Sequence, residues 1–377
     1  MLVGCVFRTL DTHSVSKTGT CAMGYICDRY QTREFLEEWR ASRSWLCLNK
    51  RVEELAYPNF QYEPRIRVFY NVTMNSIDGN IYAPCPFSKR TNKWNREWQG
   101  RKPTRVVDTV YRVCRFDVYN PYEAFGAYLN AFIAFRILNL SRDTHIVLTD
   151  LHGNRGNFDS DIWSSLSAHP IVYRSSHSRS TFAPLIARRV IKSANSAASI
   201  IYTYSRDGVF KGRERSHKCF SSYVHNAVAW LRMAFHVSLE KHPTSVLWIV
   251  RKKNPRVRGL RRAAQKIQAL QSRWNLQSVD PEELPTRDVI KIFTGARYAF
   301  APHGGGNAWI AFMQARTCFL ELFGGDRNRI NRHYDNIATL VGLIYHEHSP
   351  LRSFCDDACV QKIIHVGEGC TTRKESS

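Results

Sequence analysis

Acidic side chains are scarce in this sequence. Aspartate and glutamate number 32 against 54 lysines and arginines, a net charge of +22. Such an imbalance predicts attraction to something acidic: nucleic acid, an anionic membrane surface or phosphorylated small molecules. The basic residues are spread along the whole chain, and no helix-turn-helix, zinc-finger or RNP-type motif occurs, so no nucleic-acid partner is expected. No two of the 11 cysteines have Cys-x-x-Cys spacing, which argues against a zinc ribbon. There is no apolar run long enough to span a bilayer and no signal-peptide core near Met1. Either the protein is soluble where it is made, or a membrane anchor is absent from this chain.

What is present points to a folded, secretory-type protein. Hydrophobic residues make up 44%, enough for sizeable cores and too many for a disordered chain. Most cysteines fall outside the segments that read as buried strands and helices, which suits disulfides in an oxidising compartment. Asn71-Val-Thr73 and Asn139-Leu-Ser141 are N-glycosylation sequons and lean the same way. The expected location is the lumen of the endoplasmic reticulum or Golgi.

The chain of 377 residues has room for two domains. Residues 1–65 read as a cysteine-bearing extension with one helix over Thr32–Arg43. Residues 66–235 read as an α/β domain: strands at Ile66–Val72, Val110–Val118, His145–Thr149, Ile171–Tyr173 and Ser199–Tyr204, with a helix opening at Asn120. Residues 236–350 are cleaner. Strands at Val246–Val250, Leu276–Val279, Tyr298–Ala301, Cys318–Phe323 and Leu343–Glu347 alternate with helices at Leu260–Trp274, from Thr286 as N-cap, at Asn307–Gln314 and at Tyr334–Val341. That alternation implies a parallel sheet covered by helices on both faces. Residues 351–377 are left as a tail.

In such sheets ligands bind at the carboxyl ends of strands. Three features converge there: Arg251 after one strand, His303-Gly304-Gly305-Gly306-Asn307 after another, and Glu321 in a third. Glycines at a strand-to-helix corner allow positive φ and close approach of a ligand, and the following helix start favours a phosphate. An arginine, a glycine-lined helix start and a carboxylate able to hold ribose hydroxyls together suggest a nucleotide diphosphate site.

These segments resemble the glycosyltransferase 61 family, which includes EGF-domain-specific and O-mannose-directed N-acetylglucosaminyltransferases and plant β1,2-xylosyltransferases. The matching segments are Val246–Arg251 with Arg256 and Arg258, His303–Gly306, Leu320-Glu321-Leu322, Tyr334–Ala338 and Gly342–Tyr345. Asn120-Pro121-Tyr122-Glu123 is similar to the family's Asn-x-x-His helix start, with Glu123 in the place of His and Ala127 in the place of a following Asp. The resemblance implies a GT-B-like α/β fold, two Rossmann-like domains facing across a cleft, with the nucleotide-sugar in the C-terminal one. It implies inverting transfer of a sugar (N-acetylglucosamine or a pentose) from a UDP-sugar to a hydroxyl of a glycan or glycoprotein.

Inverting transfer needs a base for the acceptor hydroxyl and stabilisation of the departing diphosphate. The expected donor contacts are Arg251, Arg256, His303, the backbone of Gly304, Gly305 and Gly306, and Asn307; Glu321 reads as an inward-facing carboxylate that must be paired, either on the ribose or with one of the arginines. Glu123 and Asp150 are the candidate bases, with Asp159 and Asp161 as further options. No metal ion or other cofactor is expected. Two other readings stay open: a non-catalytic nucleotide-sugar- or glycan-binding relative, and a basic protein that binds polyanions.

Overall fold

The computed structural model describes residues 43–45, 52–56, 65–74, 81–82, 105–115, 119–150, 157–173, 185–192, 220–250, 259–323, 332–349 and 354–371, together with Ala41, Asp117, Ser199 and Ile201. They form a mixed α/β structure built on two sheets. Most of the helix expected at Thr32–Arg43 lies outside the described residues, and Arg43 itself begins a strand.

The C-terminal sheet is wholly parallel. Its strands are β9 (Ser245–Ile249), β10 (Leu276–Val279), β11 (Ala296–Pro302), β12 (Cys318–Leu322) and β13 (Ile344–His348). They lie in the order β10-β9-β11-β12-β13. The three central strands are short and mostly apolar, as strands covered on both faces must be. One face packs Val246, Tyr298, Phe300, Cys318 and Leu320 under the helices Leu260–Leu270 and Asp357–Thr371. The other packs Leu247, Ile249, Ala299, Ala301 and Phe319 under Thr286–Thr294, a 3-10 helix at Gly305–Phe312 and His333–Val341. In this doubly wound order the strand sequence reverses between β9 and β11, the place where such sheets bind ligands.

Several boundaries differ from expectation. The helix from Leu260 stops at Leu270, and Trp274 beyond it folds back into the core against Tyr298. Pro285, not Thr286, precedes the next helix, and Thr286 is its buried first residue. The segment expected as an α-helix from Asn307 is the 3-10 helix. The stretch set aside as a tail contains the Asp357–Thr371 helix, whose Cys370 is disulfide-bonded to Cys318 of β12.

The N-terminal sheet is mixed, not purely Rossmann-like. Its strands are β1 (Arg43–Trp45), β2 (Val52–Ala56), β3 (Arg65–Met74), β4 (Ile81–Tyr82), β5 (Arg105–Val113), β6 (His145–Leu148), β7 (Val172–Tyr173) and β8 (Leu185–Lys192). The run β8-β5-β6-β7 is parallel, and β3, β2 and β1 extend it antiparallel from β8. β5 ends at Val113, short of the expected Val118, because the Arg115 N–H turns to the Asp150 carboxylate instead of a neighbouring strand. Ser199 and Ile201 are a bend and a turn, where a strand was expected.

Between the sheets runs the helix Pro121–Ile137, capped by Asn120, whose side chain accepts from the Tyr122 N–H at 3.1 Å. All its residues but Pro121, Glu123 and Arg136 are buried. It belongs to one continuous core with the 3-10 helix of the C-terminal unit. A helix apolar all round is a buried one, and here it joins the two units.

Candidate active site

At the carboxyl ends of β11, β12 and β13 three side chains form a chain. His303 follows β11, and its N–H donates to the Leu322 carbonyl at 2.9 Å, which fixes its place beside β12. Its Nδ1 meets Glu321 Oε1 at 2.5 Å, and the Tyr345 hydroxyl donates to Glu321 Oε2 at 2.6 Å. Glu321 is wholly buried, and a carboxylate in that position must be paired or hydrogen-bonded. Burial, followed by the charge of Glu321, holds the Tyr345 hydroxyl protonated far above the usual phenol range. The rings of Phe323 and Tyr334 flank the imidazole at 5.4 and 5.2 Å between centroids.

This changes the expected role of Glu321. Both carboxylate oxygens are engaged inside the protein and none of its surface is exposed, so it offers no edge to a ribose hydroxyl. It orients His303 instead. Asn307 is likewise turned inward: it is 2% exposed and its side-chain amide donates to the Pro302 carbonyl at 3.0 Å, closing the corner rather than reaching a nucleotide.

The glycine corner makes its turn without left-handed backbone. Among the described glycines only Gly259 and Gly342 have positive φ in the left-handed region, while Gly304 is extended at φ 173°. The constraint lies elsewhere. A Cβ on Gly305 would stand 2.7 Å from Asn120 Oδ1 and 3.2 Å from Pro121 Cδ, so the start of the long helix occupies the space a side chain would need. A Cβ on Gly306 would meet only Ile249 and Pro281, each at 3.9 Å. Gly306 therefore lies over the carboxyl ends of β9 and β10, beside the reversal of strand order.

Just behind the corner, Tyr122 stacks on His333 at 4.2 Å. The Tyr122 hydroxyl and the Asn336 amide, one from each unit, both donate to the Ile201 carbonyl, at 2.9 and 3.3 Å. Burial first, and then the nearby His303, depress His333 to a pKa of about 3. It is a neutral ring at working pH.

The candidate bases separate clearly. Asp150 is buried and grips Arg115 through both oxygens, at 2.8 Å to Nε and 2.5 Å to Nη2. Asp159 takes Nη1 of the same guanidinium and also accepts from Trp163 Nε1 at 3.4 Å. Burial pushes the Asp159 carboxyl up, against the pull of Arg115. Asp150 is thus a structural counter-ion, not a base open to an acceptor. Asp159-Ser160-Asp161 is an Asp-x-Asp triplet, a metal-binding signal that sequence reasoning missed. Residues two apart on a helix face different ways, and Asp159 is committed to Arg115, so the two carboxylates do not converge. Glu123 remains, half-buried in the first helical turn three residues from Asn120.

Arg251 and Arg256 lie outside the described residues. Of the sequon asparagines, Asn139 is exposed with φ 50°, whereas Asn71 lies within β3 and its side chain is outside the described set. Cys318, His346 and Cys370 bring three potential metal-ligand atoms within 4.8 Å, but the two sulfurs are joined as a disulfide, which removes them as thiolate ligands. No described helix is long and apolar enough to cross a membrane.

No curated protein matches the chain by sequence. Among solved structures, the E. coli heptosyltransferase WaaC with ADP aligns with 69% of this chain and 99% of its own, at 6% identity and a TM-score of 0.40. The glycosyltransferase 61 profile matches residues 172–320, a span that holds β9 to β11, the His303 corner and the start of β12. Over those residues the chain is similar to the glycosyltransferase 61 family.

Proposed function

We propose that the protein is an inverting glycosyltransferase that moves a sugar, N-acetylglucosamine or a pentose, from a UDP-sugar to a hydroxyl of a glycan or glycoprotein. The observation that carries this reading is the family match over residues 172–320, which includes the His303 corner. The donor's diphosphate lies over the reversal between β9 and β11, against the Gly304–Gly306 backbone, and Arg251 and Arg256, which follow β9 in the sequence, are its basic ligands. His303, held through Nδ1 by Glu321, directs its other nitrogen to the leaving diphosphate. Glu123 takes the acceptor proton, since its helix start is the one that touches the corner. The sequons and disulfides support a lumenal location in the endoplasmic reticulum or Golgi.

A thermal-shift screen against UDP-, GDP- and CMP-sugars tests the donor class, because a ligand that binds only the native state raises the melting temperature. A shift with UDP and UDP-sugars alone is expected, and Arg251→Ala should abolish it. A shift with none of them, or one that Arg251→Ala leaves intact, would overturn the donor assignment. UDP binding with no UDP release in the presence of any acceptor would favour the non-catalytic relative.

A further inference from the structure

The two sequons meet different backbones. Asn71 lies inside β3, between Tyr70 and Val72, which are both paired with β8. Asn139-Leu140-Ser141 forms the exit from the helix Pro121–Ile137. Leu138 is the C-cap, and the Leu140 N–H donates to the Phe135 carbonyl at 2.9 Å, the bond that closes a Schellman turn. Asn139 is the first residue past the cap. Its φ of 50° is the left-handed conformation of that position, which glycine adopts most readily and asparagine next. The turn is then pinned by Ser141, whose Oγ accepts from the Asp143 N–H at 3.2 Å.

The turn alone accounts for an asparagine at this position. What the fold adds is room. Asn139 is exposed, and so are Arg136 on the preceding turn and residues 141–143 after it. A glycan is bulky and hydrophilic, and only a surface of this kind can carry one in the folded protein. The helix also separates the turn from the glycine corner. Its Asn120 end touches Gly305, and at 1.5 Å per residue its 17 residues put Asn139 about 25 Å away. A glycan rooted there leaves the corner clear.

We propose that Asn139 is an N-glycan attachment site, modified while the sequon is still extended and retained once the helix end has folded. In that transfer Asn139 Nδ2 gives up a proton and bonds to the anomeric carbon of an oligosaccharide. The C–O bond from that carbon to a lipid diphosphate carrier breaks, and its electron pair leaves with the diphosphate. The proposal rests on the lumenal location given above, which the Cys318–Cys370 and Cys355–Cys359 disulfides favour without reference to the sequons.

The test directs the full chain into the secretory pathway of a eukaryotic cell and treats it with peptide N-glycosidase, which leaves aspartate wherever a glycan was attached. Peptide mass spectrometry should find aspartate at position 139. Asn139→Gly and Ser141→Ala should abolish modification there, whereas Ser141→Thr and Asn71→Gln should keep it. Asn139→Gly retains the left-handed turn and should fold with an unchanged melting temperature. Enzymatic removal of the glycan should leave the thermal shift with UDP unaltered. A lumenal chain that keeps asparagine at position 139 after digestion would overturn the site, and loss of the UDP shift on deglycosylation would overturn its separation from the corner. Protease protection of the native protein in intact microsomes tests the location by itself: degradation there, beside a modified lumenal chain, would overturn the lumenal reading and support the site.

Discussion

Gly305 lies under the cap of a helix from the other sheet's unit: a Cβ added to it would stand 2.7 Å from Asn120 Oδ1. The glycine is there for the junction between units. Gly305→Ala should therefore lower stability by about 1–3 kcal/mol, the usual cost of forcing extra volume into a packed site. Asn120→Gly, which keeps a tolerable cap, should cost about a few tenths of a kcal/mol alone and recover part of the loss in combination. Urea unfolding of the two single variants and the double variant measures the coupling. Additive effects would mean that the contact carries no energy.

The His303–Glu321–Tyr345 chain predicts a graded series in turnover. His303→Ala should reduce kcat by about 10²–10³, the usual loss when one donor to a developing charge is removed. Glu321→Gln should approach that loss, because the imidazole then loses the carboxylate that orients it. Tyr345→Phe should cost less, since Glu321 keeps its bond to His303. KM for the donor should move less than kcat in all three. Steady-state kinetics with a UDP-sugar would show it, and a Glu321→Gln enzyme with wild-type kcat would refute the orienting role.

Much of the C-terminal sheet was legible because its central strands hold continuous apolar runs, such as Val246–Ile249 or Cys318–Leu320. Glu321 was legible as a buried carboxylate in want of a partner. Which partner it takes depends on the parallel alignment of β12 with β11 and β13, and no local signal carries that. The helix Asp357–Thr371 was missed because Gly367 and Gly369 break its local pattern. Gly367 is needed by tertiary contact: a Cβ there would collide with the Trp274 ring and stand 2.8 Å from Tyr298 Cε1. The run at Ser199–Tyr204 looked like a strand because it is apolar, yet Ile201 is buried at a turn to present its carbonyl to Tyr122 and Asn336.

His333 predicts how stability falls with acid. Its pKa is depressed from an ordinary 6.5 to about 3 by burial and by His303. Below pH 6.5 the unfolded chain takes up a proton that the folded protein refuses, so stability drops as pH falls from 6.5 toward 3 and is unaffected above that window. His333→Phe keeps an aromatic ring against Tyr122 and removes the titration. The melting temperature of the variant should decline less steeply over this window than that of wild type. Parallel curves for the two proteins would exclude His333 as the source.

The two described disulfides should differ in weight. Cys318–Cys370 spans 52 residues and ties the last helix to β12, whereas Cys355–Cys359 spans 4 residues at the start of the same helix. Loop-closure entropy assigns about 4 kcal/mol to the longer cross-link and about 2 kcal/mol to the shorter. The longer one also secures the packing of Val360, Ile363 and Ile364 over Tyr298 and Phe300, so its loss exposes one face of the sheet that carries His303. Cys370→Ser should therefore lower the unfolding midpoint more than Cys359→Ser, and should weaken donor binding by loosening β11 and β12. Denaturant unfolding of both variants under non-reducing conditions gives the comparison. A larger effect from Cys359→Ser would mean that the helix start, not its disulfide to the sheet, holds the layer in place.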